Sequence, residues 1–315
     1  MSHRPLLLAA ALADRRPLPD RGALVDRART AEAAGLELVT IEPGPFDPLL
    51  VAAHLAARTS RIGIAPVVST TTTEPFHVST ALATIDVVAH GRGGWVAQVD
   101  DPADVDGTVT WDVTADAAGD AAEHLEAVRA LWDSWEDGAE IRDVATARFI
   151  DRDRVHHVDL VGEHLSVRGP SITPRPPQGH PVVLARADGP AAERLVAAGV
   201  DVLVAAEGAP SAAPRRFVDV VVAADAHDGL AARLIALHAD GADGVVLHAE
   251  DLAGALAAVL PELERAGVRP AADDRDGPPP GGPADPEDPA GPAAPPTLRE
   301  RLGLAPAVNR FEARA

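Results

Sequence analysis

The sequence predicts an α/β protein built as a (β/α)8 TIM barrel, with an inserted β-hairpin and a Pro/Gly-rich linker ahead of a short C-terminal tail. Three observations carry this. Strand-like apolar runs alternate with amphipathic helical stretches, which is the pattern of a parallel sheet covered by helices. Eight such runs occur, with seven helical stretches between and after them, and that number favours closure over an open sheet. The 315 residues suffice for one barrel with insertions, since the fold takes about 250.

The runs lie at residues 6–12, 36–42, 61–68, 94–99, 182–187, 201–206, 218–224 and 244–249. The helical stretches lie at 22–34, 48–59, 77–89, 118–136, 190–198, 229–239 and 252–266. Gly35, Gly199 and Gly267 each follow an alanine at a helix end, where a left-handed cap needs a residue without a Cβ. Hydrophobic residues make up 46% of the chain, but with no Tyr, one Met, five Phe and four Trp the core is made of small aliphatic side chains. Such side chains suit helices packed on a parallel sheet.

Residues 159–181 break the alternation: Leu160-Val161 and Leu165-Ser166-Val167 flank a Gly162-Glu163 turn, which predicts an antiparallel hairpin. Residues 270–296 are dominated by Pro, Gly, Asp and Ala, too little apolar surface to order a segment, so a disordered linker is expected there. The tail regains Leu298, Leu302, Leu304 and Phe311. The expected organisation is therefore a barrel over 1–269, a linker over 270–296 and a docking tail over 297–315.

The formal net charge of −20 repels a phosphate backbone and argues against nucleic acid as a partner. The absence of cysteine excludes disulfides, thiolate metal sites and a Cys nucleophile. The apolar start of the chain is followed by Asp14, Arg15 and Arg16 where a signal peptide has its small-residue cleavage site, so it is read as a buried first strand. No run reaches the roughly 18 apolar residues of a membrane span, and a cytoplasmic protein is expected.

Several segments, in order, resemble the nitrilotriacetate and dibenzothiophene-sulfone branch of the bacterial-luciferase-like flavin-dependent monooxygenases. They are Thr59-Ser60-Arg61-Ile62-Gly63-Ile64, Ser69-Thr70, Pro75-Phe76, Ala83-Thr84-Ile85-Asp86, Gly91-Arg92 and Trp95. Leu131-Trp132-Asp133-Ser134-Trp135-Glu136, Gly169-Pro170, Pro174-Arg175-Pro176-Pro177-Gln178-Gly179, Thr297-Leu298-Arg299 and Leu302-Gly303-Leu304 continue the series. The resemblance implies a flavin-dependent monooxygenase that takes reduced FMN from an NAD(P)H:flavin reductase and oxygenates a small organic substrate, commonly as a homodimer. The deazaflavin F420 is a second cofactor implied by the superfamily.

The departures from that branch bear on the cofactor. Trp95-Val96-Ala97-Gln98-Val99-Asp100 stands where the branch has a Trp-Asn-Val-Val-Thr-Ser-like strand end, and a chain without Tyr lacks the branch's His and Tyr pair. The phosphate loop reads Ala185-Arg186-Ala187-Asp188-Gly189-Pro190-Ala191-Ala192, without the branch's Ser and second Gly. These changes keep a second function open, that of a barrel that has lost the flavin and serves as a binding or scaffold subunit.

Barrel enzymes work at the C-terminal ends of their strands. The residues expected to hold a cofactor are Asp47, Ser69, Thr70, Gln98, Arg186, Asp188 and Gly189. Each has a plainer reading beside it. Asp47 before Pro48 is placed to cap a helix. The threonine run after Ser69 suits an extended strand, and Arg186 has Asp188 or Glu207 within reach as an ion-pair partner. Trp132 and Trp135 share a helix face and read as core. His156 and His157 point to opposite faces of an extended segment, so no metal site is expected there. No residue stands out as a catalytic acid, base or nucleophile.

Overall fold

The computed structural model describes residues 4–13, 21–105, 109, 113–209, 211–224, 227–270 and 295–312. Its barrel strands are β1 (Leu7–Leu12), β2 (Leu38–Ile41), β3 (Gly63–Ser69), β4 (Gly94–Gln98), β9 (Val182–Arg186), β10 (Val202–Val204), β11 (Arg215–Val222) and β12 (Gly244–Ala249). They close in the order β1-β12-β11-β10-β9-β4-β3-β2, and every neighbouring pair is parallel. Around them stand α1 (Arg21–Ala33), α2 (Pro48–Ala56), α3 (Pro75–Val88), α4 (Pro102–Val105), α5 (Ala117–Asp133), α6 (Gly189–Ala197), α7 (Leu230–Ala239) and α8 (Leu252–Arg265). The eight runs and seven helices read from the sequence are all present, shifted by at most a few residues.

Among the barrel strands the largest shift is in β11, which begins at Arg215 instead of 218. Its first two residues are arginines, which do not read as strand. Both are buried: Arg215 Nε donates to the Leu302 carbonyl at 2.7 Å, and Arg216 donates its backbone N–H to Asp243 at 2.9 Å. Gly35, Gly199 and Gly267 have φ of 72°, 96° and 68°, as the caps require.

Strand side chains alternate between two cores. Leu8, Ala10, Leu12, Ile64, Val68 and Trp95 face the helix layer, whereas Ala9, Ala11, Ala65, Val67, Val96, Leu184, Phe217 and Val246 fill the lumen. The tail closes the lumen at the N-terminal ends of the strands through α9 (Leu298–Arg301), with Leu298, Leu302 and Leu304 joining the lumen core. Gly63 makes room for it, since a Cβ there would stand 2.7 Å from Leu298 Cδ1. A capping box between Thr297 and Glu300 starts α9.

The inserted hairpin is present as β7 (Leu160–Val161) paired antiparallel with β8 (Ser166–Val167). A second hairpin, β5 (Glu140–Asp143) with β6 (Arg148–Ile150), was not legible, because its residues are mostly exposed and carry no apolar alternation. Apart from its two ends, the expected linker at 270–296 lies outside the described residues. No helix among the described residues is long and apolar enough to cross a membrane.

Candidate active site at the barrel mouth

On four of the barrel strands the lumen-facing series leads at the C-terminal face to a polar residue: Leu38, Thr40 and then Glu42; Leu184 and then Arg186; Phe217 and then Asp219; Val246 and then His248. These side chains form one chain across the mouth. Thr40 Oγ1 donates to Glu42 Oε1 at 2.7 Å. Arg186 Nη2 and Nη1 donate to Glu42 Oε1 and Oε2 at 2.8 and 3.1 Å, and its Nε donates to Asp219 Oδ2 at 3.0 Å. His248 Nε2 lies 2.6 Å from Asp219 Oδ1.

Burial acts to raise the Asp219 carboxyl, but His248 and Arg186 outweigh it and hold that carboxyl below its ordinary range. Burial likewise opposes the charge on Arg186, and Glu42 and Asp219 reverse the effect. The network stays open to water, with Arg186 and His248 side chains 27% and 28% exposed. An imidazole oriented by a carboxylate at a solvent-reachable mouth is competent to take or give a proton.

The expected cofactor residues fall into three places. Ser69, Thr70 and Gln98 meet at the ends of β3 and β4. There Ser69 Oγ and Gln98 Nε2 both donate to the Asp100 carboxylate, Thr70 Oγ1 donates to the Gln98 carbonyl at 3.1 Å, and Thr71 and Thr72 N–H donate to Ser69 Oγ at 3.1 and 2.8 Å. Asp47 caps α2, accepting from Leu49 N–H at 2.8 Å. Asp188 and Gly189 open α6 beside a cavity of about 350 Å3 that Arg186 and Asp219 also line.

Arg186 does not pair with Asp188 or Glu207 as the sequence suggested. Its side chain continues the lumen series and crosses to β2 and β11, whereas Asp188 sits on the rim and accepts from Ala206 N–H at 3.0 Å. Glu207 pairs instead with Arg233. The sequence reading missed Asp219, which lies inside an apolar run; the signal was a lone carboxylate between Val218 and Val220 at a lumen-facing position. Trp132 and Trp135 are core, donating their indole N–H to the Ser79 and Ser171 carbonyls at 3.0 and 2.9 Å. His156 pairs with Glu136 at 2.6 Å and stacks on Phe311, while His157 lies 2.9 Å from the Gly169 carbonyl.

The loop into α6 is where a flavin phosphate would be expected, and its residues do not fit one. Asp188 presents a carboxylate, Pro190 has no N–H to offer, and the guanidinium of Arg186 is already shared by two carboxylates. A carboxylate about 4 Å from a phosphate costs roughly 1 to 4 kcal/mol between effective dielectrics of 80 and 20. Gly189 has a φ of 57°, which favours glycine, and open space where a Cβ would stand.

Comparison with known proteins agrees with the resemblance. The profile of the luciferase-like monooxygenases matches residues 6–239. One of the component chains of pristinamycin IIA synthase from Streptomyces pristinaespiralis is 33% identical over 307 residues, covering 95% of each chain. Dibenzothiophene-sulfone monooxygenase of Rhodococcus erythropolis is 40% identical over 142 residues, 44% of this chain and only 31% of that protein. Among solved structures, the EDTA monooxygenase of Chelativorans sp. BNC1 superimposes with a TM-score of 0.72 at 19% identity, covering 96% of this chain and 99% of that one, a likeness of fold. With the profile spanning most of the barrel and one relative matching along nearly its whole length, the chain belongs to the luciferase-like monooxygenases, a family of flavin-dependent oxidoreductase enzymes.

Proposed function

We propose that this chain is one component of a reductase-fed flavin-dependent monooxygenase, and that the flavin phosphate is seated on a longer luciferase-like partner instead of on this barrel. The observation that carries the reading is Arg186, locked between Glu42 and Asp219, with the carboxylate of Asp188 at the start of α6 where the resemblance expects a phosphate loop. The relative matched along nearly its whole length is named as a subunit of a synthase, which supports the same view. In this reading the pair of like barrels expected from the sequence becomes a pair of unlike ones. The remaining parts are an NAD(P)H:flavin reductase supplying reduced FMN, oxygen, and a small organic substrate, all in the cytoplasm.

A second reading, in which this barrel holds reduced FMN or F420 itself, draws on the hydroxyl-rich turn at Ser69 to Thr72 and on the partly exposed Arg186 and His248. Anaerobic titration separates the two. The purified chain alone is expected to give no saturable change with reduced FMN, and reduced F420 is expected to behave alike. A one-to-one endpoint with reduced FMN followed by oxygen-dependent turnover, or with reduced F420 followed by hydride transfer to a substrate, by this chain alone, would refute the two-barrel reading.

A further inference from the structure

A second cavity, of about 680 Å3, lies outside the barrel lumen, between the turn after β3, the starts of α3 and α5, and the β7–β8 hairpin. That volume is within the roughly 300 to 1,000 Å3 of small-molecule sites. His124 of α5 lines it and is only 1% exposed. Its ring packs against Trp95, centroids 5.6 Å apart, on the helix-layer side of β4, and the cavity shares no lining residue with the one beside Arg186.

His124 is not satisfied where it stands. The Thr70 carbonyl accepts from the ring, and Nε2 has no hydrogen-bond partner. Burial pushes the imidazole down to about 4, with the Thr70 carbonyl opposing, so the ring is neutral at physiological pH. A neutral imidazole that gives its one N–H to a carbonyl keeps a bare lone pair on the other nitrogen, here Nε2. A buried acceptor left unmade costs free energy that a donor brought by a ligand would recover.

The walls indicate what the donor is attached to. Phe76, Leu165 and Val167 offer apolar surface, while the carboxylates of Glu74, Asp120 and Glu163 outnumber the basic side chains of Arg168 and His164 around it. That excess of negative charge disfavours an anion. The starts of α3 and α5 also border the cavity, and their positive dipole ends oppose a cation. We propose that this cavity binds a small uncharged molecule, an alcohol, a phenol or an N–H heterocycle, that donates one hydrogen bond to His124 Nε2 and packs its hydrocarbon on Phe76, Leu165 and Val167. Because Thr70 and Thr71 of the turn after β3 also line this cavity, the inference rests on the reading in which the flavin is seated on the partner.

Phenol and anisole test it, since they share a shape and differ in the donor. Titrated calorimetrically into the full chain at pH 7, phenol is expected to bind about five- to tenfold tighter than anisole, the worth of one hydrogen bond to a buried acceptor. In His124→Asn, which keeps a donor for Thr70 and removes Nε2, the two are expected to bind equally. His124→Phe, which keeps a ring on Trp95, repeats the test should the first variant unfold, and thermal melting of each variant reports folding. In the parent protein, nitrogen NMR is expected to record an imidazole resonance that moves with phenol and not with anisole. Equal binding of the two by the parent, a preference that survives in both variants, or no binding of either compound would each overturn the proposal.

Discussion

The two ends of the barrel are tied by the same chemistry, arginine against carboxylate, with opposite results. At the N-terminal end, Arg299 Nη1 and Nη2 donate to the two oxygens of Asp201 at 3.0 and 2.8 Å, and its Nε donates to the His180 carbonyl at 3.0 Å. Val183 N–H and Arg129 Nη2 donate to the same carboxylate, and the Arg299 and Asp201 side chains are 8% and 9% exposed. At the C-terminal end, Arg186 bridges Glu42 and Asp219 with side chains 17% to 35% exposed, beside an open cavity. The closed end fixes the tail into the fold; the open end keeps its charges where a ligand or a partner can reach them. In this architecture the C-terminal face carries function and the opposite face carries stability.

The strongest way to break that contrast is to cut the closed pair. Arg299→Ala leaves the buried Asp201 carboxylate with only Arg129 and the Val183 N–H as donors, and is expected to cost about 3 to 5 kcal/mol in urea denaturation or to prevent folding. A loss below about 1 kcal/mol would mean that the tail is not part of the cooperative unit.

A second buried carboxylate at the same end makes the contrast depend on pH. Asp86 is fully buried and accepts from Gly93 N–H, Gln178 N–H and Gln178 Nε2 at 2.9, 3.1 and 2.7 Å. Burial nevertheless pushes it up to about 6, against those donors, from an ordinary 3.8. The folded protein then holds this proton more tightly than the unfolded chain does. The stabilising contribution is full below about pH 4 and is lost as pH rises through about 6, amounting to about 3 kcal/mol at 1.36 per pH unit. Unfolding free energies at pH 4 and 7, parent against Asp86→Asn, measure it. A flat difference would show that the three donors keep Asp86 ionised.

At the open end the same kind of cut should matter less. Arg186→Ala leaves Glu42 and Asp219 facing each other, but water reaches both, so the expected loss is about 1 to 2 kcal/mol. Should it equal the loss for Arg299→Ala, the mouth is a structural clamp and the functional assignment of that end fails.

The fold was legible because its signals are local: each barrel strand is a short apolar run and several helices end at a glycine, so boundaries missed by no more than a few residues. The exceptions were segments whose apolar content is spent elsewhere. Arg215 and Arg216 open β11 as buried ions bonded to the tail and to Asp243, and β5 and β6 are solvent-facing. The site was less legible, since it is assembled by closure. Glu42, Arg186 and Asp219 are far apart in sequence and meet only because β2, β9 and β11 all present lumen-facing residues at one end. Sequence neighbours therefore suggested the wrong partner for Arg186. His124 was hidden for a related reason, as it sits on the apolar face of α5 among Ala121, Leu125 and Val128, where a histidine looks like a core residue.

The smallest expected effect decides between two roles for one residue of the open end. Asp47 accepts the N–H of Leu49 as the cap of α2, and the resemblance places an acidic flavin contact near it. A cap is worth about 1 kcal/mol against alanine and is nearly preserved by asparagine, whose side-chain oxygen accepts the same bond. A contact that depended on negative charge would be lost in both variants. If Asp47 is a cap, Asp47→Ala lowers stability by about 1 kcal/mol, Asp47→Asn stays within a few tenths of the parent, and reduced-FMN titrations of the two are identical. If instead both variants keep parental stability and change the flavin titration together, the carboxylate faces a ligand. The open end would then hold more of the cofactor than Arg186 and Asp188 allow.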